Sequence, residues 1–181
     1  MERIASFTVD HNVLVPGLYL SRRDGNVVTF DLRFKKPNTG DLLTNAEMHS
    51  VEHIIATLLR NSPQKDAVVY FGPMGCQTGF YFLFDGAQLS ESEAVALVQQ
   101  VFARGAAYDG EMPGKSAAEC GNYRNLDVAL ALDCCRYYAE VIADWNVEKL
   151  SIPPGNKDFF QKQRVFLLTN GISAVILDEP L

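Results

Sequence analysis

An α+β fold is predicted, and two observations carry it. Short segments with strand-like alternation cluster around turns. Three longer stretches repeat their apolar residues with a helical period, two of them behind a capping box. The chain has 181 residues, of which 48% are apolar and 21% charged. That is the balance of one globular domain with a sizeable core.

In order, Ile4 to Val9 alternates apolar and polar residues and predicts a first strand, which Asp10-His11-Asn12 breaks. Val13 to Leu20 and Val27 to Phe34 predict two more, split by the turn Asp24-Gly25-Asn26. In the second of these, Asp31 and Arg33 share the face opposite Phe30, Leu32 and Phe34. Charges so spaced ordinarily mark the solvated side of a half-buried strand. Residues 35–40 read as a loop.

Thr44 and Glu47 have the spacing of a capping box, and Ala46, Val51, Ile54, Ile55, Leu58 and Leu59 form an apolar stripe. A helix is therefore predicted from Thr44 to Asn61, where Asn61-Ser62-Pro63 stops it. Ala67 to Phe71 and Phe80 to Phe84 predict strands on either side of Gly72-Pro73-Met74-Gly75-Cys76-Gln77-Thr78-Gly79. The glycines and proline there call for tight, exposed backbone. Ser90 and Glu93 open a second helix running to about Arg104, a Gly- and Pro-rich loop follows over 105–116, and a third helix is predicted from Asp127 to about Trp145. Arg164 to Thr169 and Ile172 to Leu177, joined by Asn170-Gly171, predict a terminal β-hairpin. The expected organisation is one domain over 1–153 with an extension over 154–181 packed on it.

Chemistry concentrates on the first helix. His49 and His53 are four residues apart, so their rings project from one face roughly 6 Å apart along the axis. Such a pair suits one divalent metal, although it also arises from ordinary half-buried rings. Glu52 lies beside the pair, and His-x-x-Glu-His is a known metal-site spacing. The candidate third ligand is Cys120, in Glu119-Cys120-Gly121. A thiolate with two imidazoles suits a borderline-soft ion and leaves a coordination position open. Cys76, framed by glycine, glutamine and threonine, is better placed to meet a substrate than a core thiol would be. Cys134 and Cys135 read as core thiols without a role.

The net charge of −6, with no block of Lys or Arg, disfavours phosphate-backbone binding. No apolar run is long enough to span a bilayer. Met1-Glu2-Arg3-Ile4-Ala5 lacks the order of a secretory signal, so a cytoplasmic location with reduced cysteines is expected.

Five motifs converge: Ser6-Phe7 with Asp10-His11-Asn12, Phe30-Asp31-Leu32-Arg33-Phe34, His49-Ser50-Val51-Glu52-His53, Pro73 through Tyr81, and Glu119-Cys120-Gly121-Asn122-Tyr123. In this order and spacing the chain resembles the S-ribosylhomocysteine lyase (LuxS) family over roughly residues 3 to 150. The resemblance implies a two-layer α+β fold, an antiparallel β-sheet packed on one side by helices, in a homodimer with active sites at the subunit interface. It implies cleavage of the thioether of S-ribosylhomocysteine to homocysteine and 4,5-dihydroxy-2,3-pentanedione, the precursor of autoinducer-2. The implied cofactor is one divalent metal per subunit, Fe2+ in the cell, with Zn2+ or Co2+ as substitutes. By matching position, His49, His53 and Cys120 are implied metal ligands, and Cys76 and Glu52 a general acid/base pair. Ser6, His11 and Arg33 are implied substrate contacts, with Ser6 and His11 supplied from the neighbouring subunit. Leu126 stands where the family commonly has a histidine. If such a histidine braces the metal site, its loss would be felt in affinity or rate.

The chemistry suits these residue types. The ribosyl C4 proton becomes acidic only once the sugar carbonyl has moved from C1 to C3, after which the thiolate can leave from C5. Lewis-acid polarisation of the carbonyl and groups titrating near neutral pH would serve those shifts. Two rivals use the same residues. One is a zinc peptidase of the inverted His-x-x-Glu-His type, with Glu52 activating water. The other is a non-catalytic metal-stabilised domain, which needs a closed site of four protein ligands.

Overall fold

The computed structural model describes residues 10–152. The strand predicted at 4–9, Ser6 and the hairpin predicted at 164–177 lie outside the described residues. Four strands, β1 (Gly17–Asp24), β2 (Val27–Arg33), β3 (Val68–Pro73) and β4 (Gly79–Asp85), form one sheet in the order β1-β2-β4-β3. Every pairing is antiparallel. Helices α1 (Asn45–Arg60), α2 (Glu91–Ala106) and α3 (Val128–Val141) cover the face that carries Leu18, Phe30, Leu32, Phe80 and Phe82. This is the α+β layout the sequence predicts.

Two element bounds differ from prediction, each for a backbone reason. β1 occupies 17–24 rather than 13–20. Upstream the chain turns at Asp10, whose carboxylate accepts from the Asn12 amide at 3.0 Å, and Pro16 has no N–H to give a ladder. Downstream the strand continues through charged residues, because Arg22, Arg23 and Asp24 pair with Thr29, Val28 and Val27. The ladder holds them, not apolar alternation. α3 ends at Val141, short of Trp145. Gln99 of α2 donates its amide to the carbonyls of Ile142, Ala143 and Trp145, which satisfies acceptors at the helix end from outside it.

Both predicted capping boxes form, at Thr44/Glu47 and Ser90/Glu93. Each cap contributes about 1 kcal/mol. Burial of each large apolar side chain contributes about 1.5–3 kcal/mol. The stripe Val51, Ile54, Ile55, Leu58 and Leu59 therefore decides which face of α1 turns inward. That leaves His49, Glu52 and His53 off the deeply buried side. Deep in the core, Phe34 stacks on Tyr138 at 4.0 Å between centroids, and the Tyr138 hydroxyl donates to the Gly17 carbonyl at 2.8 Å. Cys134 and Cys135 are buried nearby, and burial pushes their thiols up to about 11 and about 12. They stay protonated and inert.

The ordinary expectation of a solvated Asp31 and Arg33 is overturned. They are 5% and 2% exposed. β2 lies between β1 and β4, so Tyr19 and Tyr81 flank Asp31 while Gly17 and Gly79 flank Arg33. The two charges pair with each other through both Nε and Nη2 of Arg33. Burial raises the Asp31 carboxyl, opposed by Arg33; burial also disfavours the Arg33 charge, but Asp31 outweighs it and raises that group. The β3–β4 turn is shaped by Gln77, which adopts φ +61°. Its amide donates to the Met74 carbonyl at 3.0 Å and its carbonyl accepts from Leu43 at 2.9 Å. Gly79 is required instead by close approach: a Cβ there would lie 2.1 Å from the Leu32 carbonyl oxygen.

Candidate metal centre

α1 presents His49 and His53 one turn apart, with ring centroids 4.7 Å apart and planes at 90°. The long loop after α2 returns to them. It brings Cys120 Sγ to 3.3 Å from His49 Nε2. One donor atom from each of His49, His53 and Cys120 lies within 4.8 Å of the other two. Neighbouring donors around a tetrahedral ion, bound at ~2.0 Å through nitrogen and ~2.3 Å through sulfur, sit roughly 3.5 Å apart. The trio is therefore close to the size such an ion needs.

The outer hydrogen bonds fix the rings for that task. His49 Nδ1 lies 2.6 Å from Asn125 Oδ1, and the Asn125 amide nitrogen donates to Asn45 Oδ1. His53 Nδ1 lies 2.7 Å from the Pro113 carbonyl. A carbonyl only accepts, so both Nδ1 atoms donate, which leaves Nε2 of each ring as the ligand atom. Gly114, at φ +66°, lets the loop pass the His53 ring, where a Cβ would stand 3.2 Å away. Two imidazoles and a cysteine sulfur make a donor set that fits a borderline-soft divalent cation.

Glu52 is half-buried beside His53 in an open cleft of about 330 Å³ lined also by Ala56, Thr57, Pro113 and Gly114. Burial raises its carboxyl above the usual range, against the pull of His49 and His53. A second group forms around the β3–β4 turn. Cys76 is exposed on it, with Sγ 3.0 Å from Thr78 Oγ1 and 3.9 Å from Arg33 Nη1. His11 faces the same cavity of about 410 Å³ as Cys76 and Thr78. The structure thus gathers His49, His53, Cys120 and Glu52 in one place and His11, Arg33 and Cys76 in another. The two cavities have no lining residue in common. Sequence reasoning missed Thr78, Asn125 and the pairing role of Asp31. Asp31 and Thr78 were signalled by position, each two residues from a predicted site residue; Asn125 had no such signal.

A family model described as S-Ribosylhomocysteinase (LuxS) matches residues 4–149. The chain belongs to the LuxS family. A protein of Desulfotalea psychrophila named S-ribosylhomocysteine lyase is 47% identical over 159 residues, covering 84% of this chain and 99% of its own. A Finegoldia magna protein of that name is 43% identical over 157 residues, with coverage of 84% and 99%. One from Clostridium beijerinckii is 46% identical over 136 residues, with coverage of 72% and 85%.

Against the LuxS pattern, Leu126 is 2% exposed and belongs to the apolar core. Asn125, one residue earlier, holds His49 Nδ1. Asn125→Ala is expected to weaken metal binding by about 10- to 100-fold. Asn125→Asp, which keeps an acceptor facing Nδ1, is expected to retain it. Competition with a chromogenic chelator measures both, and equal affinity in wild type and Asn125→Ala would show that the contact does not support the ring.

Proposed function

We propose that the protein is a metal-dependent S-ribosylhomocysteine lyase, releasing homocysteine and 4,5-dihydroxy-2,3-pentanedione. The observation that supports it most is the convergence of His49, His53 and Cys120, with Nδ1 of each ring held by a carbonyl from outside the trio. These three residues hold the metal, Fe2+ in the cell with Zn2+ or Co2+ able to replace it. When bound, the ion supplies Lewis acidity toward the substrate oxygens. The inverted-peptidase reading loses ground, because the third donor is a thiol where such enzymes usually take a carboxylate.

The remaining work falls to side chains. Two shifts carry the sugar carbonyl from C1 to C3, and each needs one proton taken from carbon and one moved at oxygen. Cys76 as thiolate takes and returns the carbon protons. Glu52, held protonated more readily than a solvated carboxylate, exchanges protons at oxygen. Removal of the C4 proton then expels homocysteine thiolate from C5, and no water is consumed. Arg33, His11 and Ser6 contact the substrate. The active form is a homodimer with sites at the interface. In support, Arg33 points from the sheet face opposite α1, and the cavities holding Glu52 and Cys76 are separate within one chain. A second copy would bring the two groups together. A cytoplasmic location accompanies this reading; among the described residues no helix is long and apolar enough to cross a membrane.

Metal-replete protein supplied with S-ribosylhomocysteine is expected to release one thiol per substrate, titrated with a disulfide reagent. No thiol release would overturn the assignment.

A further inference from the structure

Thr78 is 3% exposed, and its hydroxyl lies between two polar groups. Arg33 Nη1 approaches Oγ1 to 2.5 Å, and Cys76 Sγ stands 3.0 Å away. A guanidinium has donors only, so the threonine oxygen must accept from Arg33. The hydroxyl proton then needs an acceptor, and the Cys76 sulfur is the one in reach. The opposite arrangement, with the thiol donating to Oγ1, would leave the buried hydroxyl proton without a partner. Asp31 holds the other edge of the guanidinium through Nε and Nη2, which fixes the direction in which Nη1 points.

We infer that Thr78 is a positioning residue whose hydroxyl accepts from Arg33 and donates to Cys76 Sγ, orienting the sulfur and favouring its thiolate. This goes beyond the proposed lyase roles by adding a residue, and rests on them only for why the thiolate matters. Arg33 reaches the sulfur directly only at 3.9 Å, too far for a strong hydrogen bond, so Thr78 makes the closer polar contact. The charged and titratable groups facing Cys76 are Arg33 backed by Asp31 from β2, Tyr81 from β4 and His11 across the cavity. None of these groups is itself altered when only the Thr78 hydroxyl is changed, and Asp31 still holds Arg33 through Nε and Nη2.

The test measures the rate of iodoacetamide alkylation at Cys76 against pH, read by mass spectrometry of the Cys76 peptide in the full chain. Cys134 and Cys135 are buried and do not react in the same range. Thr78→Val, isosteric without the hydroxyl, is expected to move the midpoint up by about one unit, a tenfold loss of thiolate below it. Thr78→Ser is expected to restore the wild-type midpoint. Thr78→Ala is the second hydroxyl-free variant should the valine fail to fold, with the same upward shift expected. An unchanged midpoint in the hydroxyl-free variant, or an equal shift in Thr78→Ser, overturns the inference. The alkylation readout needs no substrate. Failure of the lyase reading would appear in thiol release and leave these midpoints untouched.

Discussion

Cys76→Ala is expected to keep the metal content of the wild type while lyase turnover falls by about 10²- to 10⁴-fold, the usual worth of a positioned proton-transfer group. The first half of that result follows from geometry. Cys76 sits on the β3–β4 turn, whereas the donor trio is built from α1 and the loop that carries Cys120. The second half follows from the chemistry of the reaction. The carbon protons of a sugar are weakly acidic, and shuttling them needs a group that can both take a proton and give it back. Cys76→Ser separates these requirements from simple occupancy: a hydroxyl fills the space but does not ionise there, so it is expected to be as slow as the alanine. Because Cys76 is exposed, either change should leave folding stability within about 0.5 kcal/mol. Retention of more than about a tenth of wild-type turnover by Cys76→Ala, at full metal loading, would remove it from the proton-transfer role, since that is less than the smallest factor such a group supplies.

The elements that position this chemistry were legible where local signals and tertiary demands agree. The Thr44/Glu47 box sets the start of α1, Asn61 its end and the stripe from Val51 to Leu59 its orientation, and hence where His49 and His53 point. β1 was misplaced, because its second half is held by pairing with β2 and not by any pattern of its own. Asp31 and Arg33 show a different limit. Alternation says that they share a face, but not that β1 and β4 flank them, with Tyr19 and Tyr81 opposite Asp31, and that both end up buried. Thr78 stood two residues from Cys76, but threonines in turns are common and only distance shows that it touches the site, while Asn125 carried no such signal. Cys120 was picked out by contrast as a Cys-Gly pair after a flexible loop, and the structure brings its sulfur beside His49.

Cys120→Ala is expected to have the opposite profile to Cys76→Ala: the metal itself is lost, and turnover goes with it. Apparent binding energies for small mixed nitrogen–sulfur sites are about 10–16 kcal/mol. Removing one of three protein donors takes away roughly a third, about 3–5 kcal/mol, which is ~10² to 10⁴ in dissociation constant. The sulfur is also held for the task, since the Asn122 amide donates to it at 3.5 Å. His49 and His53 would remain oriented by Asn125 and Pro113, so a two-ligand site of low affinity should survive and be filled only at high metal concentration. Co2+ loading makes the distinction directly. A thiolate bound to cobalt gives an intense near-ultraviolet charge-transfer band. It should be present in wild type and in Cys76→Ala, and absent from Cys120→Ala even when excess cobalt occupies the imidazoles. If the band persisted in Cys120→Ala and vanished in Cys76→Ala, the two sulfurs would have exchanged roles, and the 3.3 Å approach of Cys120 to His49 would be packing and not ligation.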